Sequence, residues 1–167
     1  MSEIPRTLVV TGGTSGLGLS VVQLFASRGY HVWILSRSQQ KIDTVIKSIQ
    51  QKHPTAVLHG LEMDLGEMSS VRQAVAKLKN QLSVIDVLLC NAAIYQDKTE
   101  GSLDMTIDPA FRVNYLGHFL LVHMVLSLIP SHGQICFVGC GLVQSEHHWI
   151  RQAGLPLCRD MNPYTLS

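Results

Sequence analysis

Short, nearly unbroken apolar runs alternate along this chain with longer stretches in which apolar residues return every three or four positions, the marks of buried strands and half-buried helices. Residues 8–10 open the series as a strand. Leu17, Val21, Val22, Leu24 and Phe25 follow as the apolar stripe of a helix that Gly29 ends. Residues 31–35 read as a second strand, after which Ser38 caps a helix carrying Ile42, Val45, Ile46 and Ile49 as far as Pro54. Residues 56–63 make a third strand, and Ser70 with Gln73 forms a capping-box pair opening a helix through Val71, Val75 and Leu78. Val87-Leu88-Leu89-Cys90, entered through Ile85 and Asp86, is the fourth strand and reads as a run buried on both faces. A polar loop over 96–103 leads to Asp108 and Pro109, which start a long helix reaching about Leu128, and residues 135–138 supply a fifth strand.

Strands that alternate with helices pair in parallel through right-handed crossovers, so the expected fold is α/β, a doubly wound sheet in the order 3-2-1-4-5. No internal repeat, linker or low-complexity segment divides residues 1–167, which are read as a single domain. The formal net charge is +1, with Lys and Arg scattered, so no nucleic-acid face and no basic membrane-surface helix is indicated. The first six residues are too short and polar for a secretory signal, and the apolar stretch 119–129, broken by His123 and Ser127, is shorter than a membrane span. A cytoplasmic protein is expected. Cys90, Cys136, Cys140 and Cys158 lack paired metal-type spacing, and three of them sit in or beside buried strands, which suits reduced thiols.

The chemistry begins at Thr11-Gly12-Gly13-Thr14-Ser15-Gly16-Leu17-Gly18, which follows the first strand and leads into the first helix. Glycines at 12, 16 and 18 allow a tight turn, close approach of backbone to a pyrophosphate and close packing of helix on strand, while the free amides of the helix start attract the anion. Three further motifs stand in order: Asp64-Leu65 after the third strand, Asn91-Ala92-Ala93 after the fourth, and Asn114 within Val113-Asn114-Tyr115-Leu116-Gly117-His118-Phe119.

Together these four motifs resemble the classical short-chain dehydrogenase/reductase family over essentially the whole chain, and their strings resemble the branch containing retinol dehydrogenases and light-dependent protochlorophyllide reductases. The resemblance implies a Rossmann-type domain that binds a nicotinamide dinucleotide. It assigns Gly12, Thr14, Ser15, Gly16, Leu17 and Gly18 to the diphosphate loop, Asp64 to the adenine, and Asn91, Ala92 and Ala93 to the cleft wall. Read without it, Asp64 caps a turn and Asn91 is an end-of-strand turn residue. Asn114 is a poor helix former in mid-helix, which the family explains by a water held for a proton relay and which a solvated helix face explains equally simply.

Ser36 and Arg37 end the second strand, where an acidic residue would read a ribose 2′-hydroxyl. A guanidinium suits a 2′-phosphate, so NADP(H) is favoured over NAD(H), with Lys41 assisting weakly; otherwise Arg37 is a solvated loop residue. The family's acid is a tyrosine followed four residues later by a lysine. Tyr164 is the candidate, and the chain stops one residue before the lysine position; read without the family, Pro163-Tyr164 is a loop tyrosine near a terminus. Cys140 in Val138-Gly139-Cys140-Gly141 stands where the family has its second serine, and a thiol is the weaker donor; read without the family, it is a small buried residue at a strand end. His147 and His148 read as a surface loop rather than a metal site, and His118 and His123 as satisfying local hydrogen bonds.

The leading expectation is therefore an NADP(H)-dependent oxidoreductase moving hydride between nicotinamide and a small carbonyl, alcohol or activated alkene, with Tyr164, Asn114 and Cys140 as catalytic residues. The sheet is expected to be incomplete at the C-terminal end, lacking the family's last strands and helices. Those segments build the substrate pocket and usually the oligomer interface, so a homo-oligomer is compatible with the design. The competing expectation is a truncated or degenerate module that holds dinucleotide, or a partner chain, without turnover.

Overall fold

A computed structural model describes residues 5–95 and 108–139, and every element below lies in the compact unit Met1–Phe137. Strands β1 (Thr7–Thr11), β2 (His31–Ser36), β3 (Leu58–Glu62), β4 (Val87–Cys90) and β5 (Gln134–Phe137) form one sheet in the order β3-β2-β1-β4-β5. All four pairings are parallel, with Val9 opposite Trp33 on one side and Leu88 on the other. Between them run α1 (Gly16–Ser27), α2 (Gln39–Lys52), α3 (Met68–Gln81) and the helical segment α4 (Pro109–Leu128).

Side chains alternate across a strand, so β1 feeds two cores. Leu8 and Val10 pack with Val22 and Ala26 of α1 and with Ile42, Val45 and Ile49 of α2. Val9 faces the other way, among Val71, Val75 and Leu78 of α3 and Leu121 and Val125 of α4. Each fully buried aliphatic side chain contributes about 1.5–3 kcal/mol, so these two layers hold the sheet.

Several expectations need correction. The buried stripe of α1 is Gly18, Val22 and Ala26, whereas Leu17 and Leu24 are 59% and 46% exposed. The helix meets the Gly12 turn and Asn91 where it has no side chain, at Gly18, and the i+4 positions after it, Val22 and Ala26, carry the same face onto β1. Ser70 does not open α3. That helix starts at Met68 after Glu67, and the Ser70 hydroxyl accepts from the Asp64 amide at 3.0 Å, closing the turn before it. The long helix begins as expected, with Asp108 Oδ1 accepting from the Phe111 amide at 2.9 Å. It is not uniform, because Arg112–Gly117 is wound as a π-helix before the α-helix His118–Val125 and a 3₁₀ turn Leu126–Leu128.

At 20 residues, α4 is also long and apolar enough to cross a membrane by length and composition, which the stretch 119–129 alone did not suggest. Its Leu121 and Val125 are fully buried against the sheet layer. β4 is half-buried rather than covered on both faces, and in β5 Cys136 is exposed and Phe137 is 63% exposed. Burial pushes the Cys90 thiol, on the covered face of β4, up to about 12, with a smaller push from Cys136.

Candidate dinucleotide site

The C-terminal ends of β1, β2, β3 and β4 open into a cleft of about 560 Å³. Gly12, Thr14 and Ser15 form its floor, Ser36, Arg37, Ser38 and Lys41 one end, Met63, Asp64 and Leu65 a side, and Asn91, Ala92, Ala93 and Ile94 with Val113 the far wall. Nine of the residues expected from sequence to hold the cofactor, Lys41 among them, thus share one cavity. Gly16, Leu17 and Gly18 do not line it; they start α1 beside Ser15.

Backbone conformation explains why this loop needs glycine. Gly12 has φ +69°, and a Cβ there would stand 2.9 Å from Ala92 Cα. Gly18 lies under the loop, where a Cβ would meet the Gly12 carbonyl oxygen and Asn91 Nδ2. Ser15 caps α1 in an extended conformation with no side-chain cap bond, and no acidic residue stands in the first turn. First-turn amides lack intrahelical acceptors and attract an anion, so the residues present fit a diphosphate.

At the β2 end, the Thr14 and Ser36 hydroxyls lie 3.3 Å apart, and Ser38 Oγ caps α2 by accepting from the Lys41 amide at 3.3 Å. Capping brings Lys41 to the same end as exposed Arg37, so two cations face one carboxylate, Asp64, along the cleft. Asp64 Oδ1 accepts from the Gly66 amide at 2.8 Å, which holds the turn after β3 and fixes the carboxyl at the cleft side.

The far wall is tied by hydrogen bonds between distant segments. Asn91 Nδ2 donates to the carbonyls of Thr11 (3.1 Å) and Gly12 (3.4 Å). The amides of Asn91 and Ala92 both donate to Thr11 Oγ1, at 2.9 and 3.0 Å. Asn114 grips the backbone of Ile94 with both ends of its side chain: Oδ1 accepts from the Ile94 amide at 2.8 Å and Nδ2 donates to its carbonyl at 2.9 Å. The helix face here is thus engaged through Asn114. Tyr164 and Cys140 lie outside the described residues, as do Cys158, His147, His148 and the loop 96–103.

Sequence reasoning gives Thr11, Leu65, Val113 and His118, all inside the motifs, no role of their own in the cleft, and does not single out Ile94. His118 does make a local bond, to the Asn114 carbonyl, but it also reaches Thr11 Oγ1 at 2.9 Å. Its position three residues before Leu121 and seven before Val125, on the buried stripe, was the available signal. His123, in contrast, is exposed and stacks on Phe119.

Burial lowers the pKa of His118 from its ordinary value near 6.5, against a smaller upward effect of the Asn114 carbonyl. His59, stacked on Trp33, is also lowered by burial and by neighbouring His31. A histidine whose folded pKa is depressed contributes no penalty above its unfolded value and destabilises as pH falls below it, because the unfolded chain takes the proton first. The urea midpoint is therefore expected to fall from pH 7.5 to 5.5. A midpoint that rises or stays flat over that range would contradict neutral buried rings.

A glycine loop opening a helix beside a cleft at the C-terminal ends of parallel strands defines a Rossmann-type domain. A family model for short chain dehydrogenase matches residues 6–150, and the chain belongs to that family. It is 34% identical over 128 residues to polyprenol dehydrogenase of Homo sapiens, covering 77% of this chain and 38% of that protein. It is 35% identical over 133 residues to chloroplastic protochlorophyllide reductase B of Oryza sativa subsp. japonica, covering 75% and 31%. Among solved structures, the Pseudomonas aeruginosa RhlG/NADP active-site complex shares the fold at a TM-score of 0.72 and 18% identity, over 87% of this chain and 59% of that one. The chain thus spans less than two-fifths of the length of these two relatives.

Proposed function

We propose that this chain provides the dinucleotide-binding framework of an NADP(H)-dependent oxidoreductase acting on a carbonyl, alcohol or activated alkene. The observation that carries the cofactor choice is the gathering of Ser36, Arg37, Ser38 and Lys41 at one end of the cleft floored by the glycine loop. A planar guanidinium with an ammonium nearby suits a doubly charged 2′-phosphate better than a neutral hydroxyl. When bound, the nicotinamide carrier supplies or accepts the hydride. The chain's own residues hold the diphosphate at the start of α1, fix the adenine end beside Asp64, and shape the wall through Asn91 and Asn114. In this proposal Tyr164 is the acid, Cys140 stands in for the usual serine, and Asn114 supports the relay. A single domain and a cytoplasmic setting belong to the same proposal.

Calorimetric titration with NADPH and NADH, followed by nicotinamide oxidation assays against a carbonyl panel, tests it. NADPH is expected to bind the more tightly, and Arg37→Ala to remove about tenfold of that preference, as expected for one charge-assisted contact. An unchanged preference would remove Arg37 from cofactor choice. Heat from NADPH without turnover on any carbonyl would favour a binding module over an enzyme.

A further inference from the structure

We propose that His118 is a positioning residue for the cleft, coupling the end of β1 to the π-helical turn of Asn114 and so setting the place of the wall formed by residues 91–94. Its functional consequence rests on the dinucleotide reading above, whereas the geometry stands apart from it.

Hydrogen counting fixes the state of the ring. Thr11 Oγ1 receives the amide hydrogens of Asn91 and Ala92, which occupy both of its lone pairs. Its own hydrogen then has two acceptors in range, His118 Nε2 at 2.9 Å and the Leu89 carbonyl at 3.5 Å. The nearer is a nitrogen that must be bare to accept. At the other side of the ring, Nδ1 lies 3.2 Å from the Asn114 carbonyl, an acceptor only, so Nδ1 must carry the hydrogen. Two independent partners assign the same neutral tautomer. The residue is 3% exposed, which leaves no solvent to substitute for either partner.

These bonds close a cycle. Thr11 donates to His118, His118 donates to Asn114, the Asn114 side chain holds Ile94 on both sides, and the backbone returns through Ala92 and Asn91 to Thr11. Asn91, Ala92 and Ile94 line the cleft, and Val113 lines it beside Asn114. A side chain there solely for volume would not need both nitrogens bonded to segments that carry the wall. Without His118 the cycle opens at two points, and the Thr11 hydroxyl is left to turn to the Leu89 carbonyl.

The test uses the full, ligand-free, ¹⁵N-labelled chain. The His118 ring is expected to show the Nδ1–H tautomer by NMR. In His118→Leu, hydrogen exchange at the Asn91 and Ala92 amides is expected to quicken about tenfold, with Leu61 on β3 unchanged. His118→Gln, whose amide oxygen offers the Thr11 hydroxyl an acceptor, is expected to restore protection to within about threefold of the parent. The NADPH dissociation constant should rise about tenfold in the Leu variant and recover in the Gln variant. An Nε2–H tautomer, unchanged exchange at residues 91 and 92, or equal quickening at Leu61 would overturn the proposal. If His118→Leu fails to fold, the parent tautomer and the Gln variant decide. The expected exchange differences among the three proteins, with no NADPH heat in the parent, would sink the dinucleotide reading alone; a Leu variant that binds as the parent does would sink the positioning role alone.

Discussion

Gly18→Ala is expected to weaken NADPH binding by about 30-fold and to lower folding stability by about 1–3 kcal/mol, the range for forcing a methyl group into a filled space. The added Cβ would meet the Gly12 carbonyl oxygen and, at 2.6 Å, Asn91 Nδ2. Neither can retreat cheaply. The Gly12 amide is bonded to the Leu35 carbonyl at 2.8 Å, and Asn91 Nδ2 is held by the Thr11 and Gly12 carbonyls. Either α1 moves off the loop or the loop moves off the wall after β4, and both displace the amides offered to the diphosphate. Calorimetry with NADPH and urea unfolding measure the two effects. An affinity within twofold of the parent would mean that the diphosphate does not sit at this loop.

Thr11→Val is expected to cost roughly 2–4 kcal/mol of stability, since each buried donor left without an acceptor costs about 1–3 kcal/mol. Valine fills the same space in a residue that is fully buried, so packing is nearly conserved and the loss isolates the hydroxyl. Two amides, those of Asn91 and Ala92, lose their acceptor together, and His118 Nε2 loses its donor. Thr11→Ser retains the oxygen and should stay within about 1 kcal/mol of the parent. Denaturant midpoints compare the three proteins. Equal destabilisation by serine and valine would assign the effect to the methyl group instead.

The strands and their order were legible because each carries apolar residues between turn signals, although β4 and β5 are only partly covered, and the cleft because glycine is demanded where backbones nearly touch. The face of α1 was not. Leu17 and Leu24 extend the apolar pattern, and it is the packing of Val22 and Ala26, in line with Gly18, that shows which side lies on β1. Ser70 has a helix-capping side chain but is used by the preceding turn, an alternative that composition does not separate. The π-helical turn also left no hydrophobic signature, although Asn114 and Gly117, two weak helix formers three residues apart, stand inside it. The cofactor wall was recognised as a set of residues, not as a network, because its key bond joins positions 107 residues apart.

That separation makes the link depend on the rest of the fold. Closing a loop of 107 residues carries an entropic cost that local turns do not, and the Thr11–His118 link is held in place by β4 beside β1 and by α4 packed on the sheet. The glycine turn lies between β1 and α1, yet its carbonyls are held by Asn91 from beyond β4. The opposite side of the cavity comes from residues 91–94 and 113, so the cleft has both of its sides only with β4 standing beside β1.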